Sequence, residues 1–170
     1  MTTFIALLRA INVSGTGLLP MKDLSEMCVH LGFGNVRTYI QSGNVIFTST
    51  LTAENVQAAL EQILSTRMGK KIDVVVRSAA ELRGVLAANP FPQQPPSKVG
   101  VLFLSVPLSK SLLTDVVAPG GEQVRFGDRE IYIYYPAGMG RSKLKLPKLE
   151  GPATARNINT VAKLVSMVTP

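Results

Sequence analysis

The apolar residues in the first half of the chain change their spacing in a fixed order, and that order leaves few folds open. Residues 3–9 are apolar with few breakers and read as a buried strand. Residues 21–31 then place Leu24, Met27, Cys28 and Leu31 three and four apart, with Lys22, Asp23, Glu26 and His30 on the opposite side. That spacing makes an amphipathic helix, and Gly32 is its natural stop. Residues 37–41 and 45–48 are β-rich and flank Ser42-Gly43-Asn44, a hairpin signal. Thr52 opens a helix to about residue 68 that turns Val56, Leu60, Ile63 and Leu64 inward, and residues 73–77 (DVVVR) form another buried strand. Strand-helix-strand-strand-helix-strand is the split βαβ order of a ferredoxin-like plait.

The second half repeats much of this order. Ser78 and Glu81 are spaced as a capping box for a short helix to residue 88. The stretch NPFPQQPPS forces an extended, semi-rigid connection, and the subdomain boundary is expected there. A strand follows at 99–105, a helix at 109–117, and a hairpin of residues 124–126 and 130–135 around Gly127-Asp128. A last helix over residues 157–168 aligns Ile158, Val161, Ala162, Val165 and Val168. The expected class is therefore α+β, with two ferredoxin-like (α/β plait) subdomains. They cover residues 1–88 and 98–170, joined by the Pro-rich connection 89–97. Within AGMGRSKLKLPKLEG (137–151), strand, short helix and loop all stay open for residues 142–149.

Three stretches go beyond pattern: LLRAINVSGTG (7–17) followed by MKDL, TYIQSGNVIF (38–47), and GRSKL with TARNINTVAKL (140–164). In order and spacing the chain resembles a bacterial domain-of-unknown-function family, numbered 1697. The resemblance implies two α/β-plait subdomains and carries no activity with it. Ala10 and Ser14 stand where that family tends to have glycine, and Ile158 where it usually has an aromatic residue.

Several chemistries can be set aside. The longest apolar runs are strand-sized, well short of the roughly 20 residues a spanning helix needs. No signal peptide is expected, because Arg9 interrupts the first apolar run and residues 1–3 carry no basic side chain. Cys28 and His30, the single cysteine and histidine, point to different sides of one helix and make no dyad. No metal-ligand cluster is spaced in the sequence, and no metal or cofactor is expected. Gly15-Thr16-Gly17 and Gly138-Met139-Gly140-Arg141-Ser142-Lys143 are glycine-rich but match neither nucleotide fingerprint. No catalytic motif is recognisable. A lone cysteine fits the reducing cytoplasm.

Charge gives the strongest functional signal. Of the +7 net charge, residues 141–170 hold six basic groups against one acidic group, Glu150. Arg141, Lys143, Lys145 and Lys148 lie close together, within a basic segment running to residue 163, and would concentrate anions. The chain is thus expected to be a non-catalytic cytoplasmic binding module for an anionic partner, with nucleic acid the first candidate. Tyr132 and Tyr134, beside Arg125 and Arg129, either stack bases or, as favoured, cover the interface between the subdomains. An alternative is a small-molecule site or enzyme between the subdomains, where Arg9, Asn12, Gln41, Ser42, Asn44, Arg156 and Asn157 would meet a phosphate or carboxylate. Arg156, read as the start of the last helix, sits where the dipole disfavours a cation, which points to an anionic partner. A third alternative is a structural or oligomeric role through a free sheet edge.

Overall fold

A computed structural model of the chain describes residues 1–9, 19–39, 43–108, 116–149 and 151–169. In its first half, strands β1 (Thr2–Leu8), β2 (Gly34–Tyr39), β3 (Asn44–Ser49) and β4 (Val74–Ser78) alternate with helices α1 (Met21–His30) and α2 (Ala53–Met68). The sheet order is β2-β3-β1-β4, every neighbouring pair antiparallel. This is the plait order that the sequence pattern predicts.

The strand period of two decides what each face does. Phe4, Ala6, Leu8, Val45, Phe47, Val74 and Val76 pack against Leu24 and Cys28 of α1 and Val56, Leu60 and Leu64 of α2. Phe33 stacks on Phe47 with ring centroids 4.3 Å apart. The intervening residues Ile5, Leu7, Ile46, Val75 and Arg77 point to the opposite face and are buried as well. The helix ends follow their sequence signals. Thr52 caps α2 by accepting from the Asn55 N–H at 3.2 Å, and Gly69, in the left-handed region, closes it. Gly32 ends α1 with φ +85°, which lets the Phe33 N–H reach the Cys28 carbonyl at 3.1 Å. Ser78 and Glu81 form the expected reciprocal capping box, with bonds of 2.9 and 3.1 Å, ahead of helix α3 (Ala79–Ala87).

The second half contains β5 (Val99–Leu104), β6 (Gln123–Phe126), β7 (Glu130–Tyr134), β8 (Ala153–Asn157) and helix α4 (Ile158–Val168). Its sheet order, β6-β7-β5-β8, is that of the first sheet strand for strand. Residues 153–156 carry no strand in the sequence reading, which puts Arg156 at the start of the last helix, and strand β8 corrects this. They pair with β5 instead, Val101 opposite Arg156 and Phe103 opposite Thr154. The expected helix at 109–117 falls largely on residues outside those described. Val117 itself forms a two-bond bridge with Lys145, at 2.9 and 2.8 Å.

By its internal contacts the chain divides into one unit of residues 1–83 and 164–170 and another of residues 84–163. The division falls inside α3, ahead of the Pro-rich stretch, and the end of α4 belongs with the first unit. Among the described residues, no helix is long and apolar enough to cross a membrane.

Candidate functional site

Residues 137–149 settle into a definite arrangement. Gly138 has φ +86°, open to glycine at no steric cost, and a short 3-10 turn, Met139–Arg141, follows it. From Ser142 the chain is extended, and its side chains alternate. Leu144 and Leu146, with Leu149 further on, pack onto Leu104, Ile131 and Ile133 of the second sheet. Arg141, Lys143, Lys145 and Lys148 are exposed. The backbone bridge from Lys145 to Val117 fixes the register of this segment. Anchoring of Leu144 and Leu146 therefore sends Lys143 and Lys145 outward, and Lys148 is exposed beyond Pro147, where the alternation breaks. No carboxylate among the described residues lies within ion-pair distance of these four cations.

Beside them Glu122 is held in place from two directions. The Ser142 hydroxyl donates to Oε1 at 2.9 Å and the Gly120 N–H donates to Oε2 at 2.8 Å. Its own backbone N–H, then Ser142 and Gly120, keep its carboxyl below the usual range against some desolvation. Burial, and then the Glu122 charge, push the nearby Tyr135 phenol upward. The same residues border a cavity of about 170 Å³, whose walls include Pro119, Tyr135, Pro136, Arg141 and Lys143. Sequence reasoning missed Glu122 and Tyr135. Their only signal was a Pro-Gly-Gly turn before one and a Pro-Ala-Gly turn after the other.

The remaining predicted residues are placed as follows. Arg9 follows β1, largely exposed, with its guanidinium 3.7 Å from the Asp73 carboxylate, which Lys71 approaches at 3.8 Å from the other side. Exposed pairs of this kind contribute little to stability, so Arg9 is available to a ligand at small cost. Asn44 is fully buried, and its amide donates to the Tyr39 carbonyl at 3.0 Å across the β2–β3 hairpin. It ties the facing ends of the two strands together. Asn12, Gln41 and Ser42 lie outside the described residues.

Arg156 is not at a helix N-terminus. It is the penultimate residue of β8, 8% exposed, donating to Thr154 Oγ1 and to the Ala155 carbonyl, both at 2.8 Å. Burial disfavours its charge and draws the guanidinium down to about 10. The helix-dipole argument for an anionic ligand at Arg156 therefore falls away. Asn157 is the helix cap, accepting from the Thr160 N–H at 2.9 Å. Arg77 has the same place in the first sheet, penultimate in β4, buried, and donating to the Val76 carbonyl at 3.1 Å ahead of the capping Ser78.

Tyr132 is buried, and its hydroxyl donates to the Val85 carbonyl of α3 at 2.8 Å. Burial, with a lesser push from Glu130, raises the phenol to about 12. This ring is withdrawn from any base-stacking surface. Tyr134 is half-buried, its ring 6.0 Å from that of Phe91. Tyr132→Phe is expected to destabilise the fold by about 1–3 kcal/mol, because a buried carbonyl loses its donor. Urea unfolding measures this, and an unchanged midpoint would show that the bond contributes nothing.

Among the described residues, no group of three or more His, Cys, Asp and Glu is placed to hold a metal ion. A family model described as a protein of unknown function, DUF1697, matches residues 1–132. The chain belongs to the DUF1697 family. The residues matched run from the start of the first plait into β7 of the second. The conserved bacterial protein SP0830 from Streptococcus pneumoniae shares the fold, with a TM-score of 0.81 at 23% identity over 99% of each chain. No curated protein matches this DUF1697 chain.

Proposed function

We propose that this chain is a non-catalytic binding module for an anionic partner, nucleic acid foremost, which docks on the basic segment 141–148. The observation that carries this reading is the alternation in that segment. Leu144 and Leu146 are packed inward while Arg141, Lys143, Lys145 and Lys148 stand exposed. Residues two apart on an extended chain lie roughly 6.6 Å apart, so Lys143 and Lys145 offer a row of charge rather than a point. A row of cations suits a polyanion, whose successive phosphates each release counterions when neutralised. A reducing, cytoplasmic setting accords with the one cysteine being a buried thiol.

The test is a titration of the full chain against labelled single- and double-stranded DNA and RNA at several salt concentrations, followed by fluorescence anisotropy. The logarithm of affinity is expected to fall linearly with that of salt, with a slope of roughly −0.7 to −0.9 per phosphate contacted. Replacing Lys143, Lys145 and Lys148 together by alanine is expected to make that slope shallower by about two to three. Absence of binding at low salt would end the nucleic-acid reading, and an unchanged slope in the triple variant would move the contact elsewhere.

A further inference from the structure

The cavity beside the basic segment belongs wholly to the second unit and is closed by two stretches far apart in sequence, residues 119–122 and 135–143. At about 170 Å³ it is smaller than the roughly 300–1,000 Å³ of sites that enclose a drug-sized ligand or a whole cofactor. It has room for one ring system. One of its walls, Tyr135, is an aromatic side chain of the kind planar bases stack against, and Pro136 adds apolar surface beside it.

Its charges are of both signs and differently supported. Glu122 is fixed by the Ser142 hydroxyl and the Gly120 N–H, one on each carboxylate oxygen. The backbone N–H of Glu122 itself also bonds this carboxylate, so three donors leave it one of its roughly four acceptor positions for a ligand. Arg141 and Lys143 border the same space and are exposed. A ligand that satisfies all of these features is a single planar ring system with N–H donors along one edge and an anionic group attached.

We propose that this cavity holds the base of a phosphorylated nucleoside, free or at the end of a strand. Glu122 accepts from the donor edge of the base, and Arg141 and Lys143 hold the phosphate. The inference rests on the nucleic-acid reading above and narrows it to one nucleotide position. Guanine presents two neighbouring donors, N1–H and the 2-amino group, to a carboxylate. Adenine and cytosine each present an amino group beside a ring acceptor. Uracil presents one N–H between two carbonyl oxygens, which a carboxylate repels. The expected order is therefore guanine first and uracil last.

Calorimetric titration of the full chain with the guanosine, adenosine, cytidine and uridine 5′-monophosphates, and with inorganic phosphate, tests this order. Guanosine monophosphate is expected to bind roughly tenfold or more tightly than uridine monophosphate or phosphate alone. Inosine monophosphate, which lacks the 2-amino donor, is expected to bind the unaltered chain several-fold more weakly than guanosine monophosphate, whatever the stability of any variant. Glu122→Gln should level the order among bases, and Arg141→Ala should weaken all four nucleotides alike. Monophosphates that bind no tighter than phosphate, or a guanine preference untouched by both inosine and Glu122→Gln, overturn the proposal. Salt-dependent oligonucleotide binding without any base preference overturns the cavity alone. Failure of oligonucleotides and monophosphates together overturns the basic-segment reading as well.

Discussion

Replacing Phe47 by alanine is expected to destabilise the first unit by about 3–5 kcal/mol. Phe47 is fully buried in β3, pairs with Phe4 across the sheet, and lies under the Phe33 ring at 4.3 Å with the planes nearly parallel. Truncation removes the burial of a whole ring and leaves a void that two neighbouring aromatics cannot both fill. The backbone around them is tied into a central strand with partners on both sides, so the site cannot collapse. For a chain of this size the loss corresponds to a fall in Tm of roughly 6–20 °C. Phe47→Leu keeps most of the volume and is expected to recover much of the loss. A Phe47→Ala change of less than about 1 kcal/mol in chemical denaturation would show that this aromatic stack is not part of the core.

The Cys28 thiol is expected to react on the order of 10³-fold more slowly with iodoacetamide in the folded chain than in the unfolded one at pH 8. Cys28 is fully buried in α1, and burial pushes its thiol from an ordinary value of 9.0 up to about 12. Since only the thiolate attacks, the rise from 9.0 to about 12 removes that factor of reactive species before access is considered. The linkage has a definite sign. The neutral thiol's contribution to stability is present in full below pH 9, and it is lost as pH rises through the folded value near 12. Labelling in a graded series of denaturant checks the first point, since the rate should follow the population of the open form. Rapid labelling of the native chain would mean that α1 does not cover the thiol.

The first plait was legible because its information is local. Glycine at residue 32, Thr52 at a helix start, and the Ser78–Glu81 box each specify a neighbouring turn, and each does so in the structure. Strand β8 was not legible for the opposite reason. Ala153–Asn157 is rich in alanine and polar residues, and its identity comes from pairing with β5, some fifty residues earlier in the chain. Arg156 was misplaced as a consequence, since a cation just before a capping asparagine looks like the start of a helix. The basic segment was half legible. The alternation Ser-Lys-Leu-Lys-Leu has the strand period, but only the bridge to Val117 shows that the chain keeps it. Glu122 and Tyr135 had only the turns beside them as a signal, because a cavity lined by two separate turns leaves no periodicity in either.

The anchoring of Leu144 and Leu146 also fixes how a polyanion would meet this surface. Ordering a backbone residue into one conformation costs roughly 1–2 kcal/mol, and a basic tail that folds only on contact must meet that cost during binding. Here the leucines meet it during folding, so a polyanion need only restrict the rotamers of Lys143 and Lys145. Cutting these anchors back to alanine would leave every charge in place and still weaken attraction, because the row of cations would have become a flexible string.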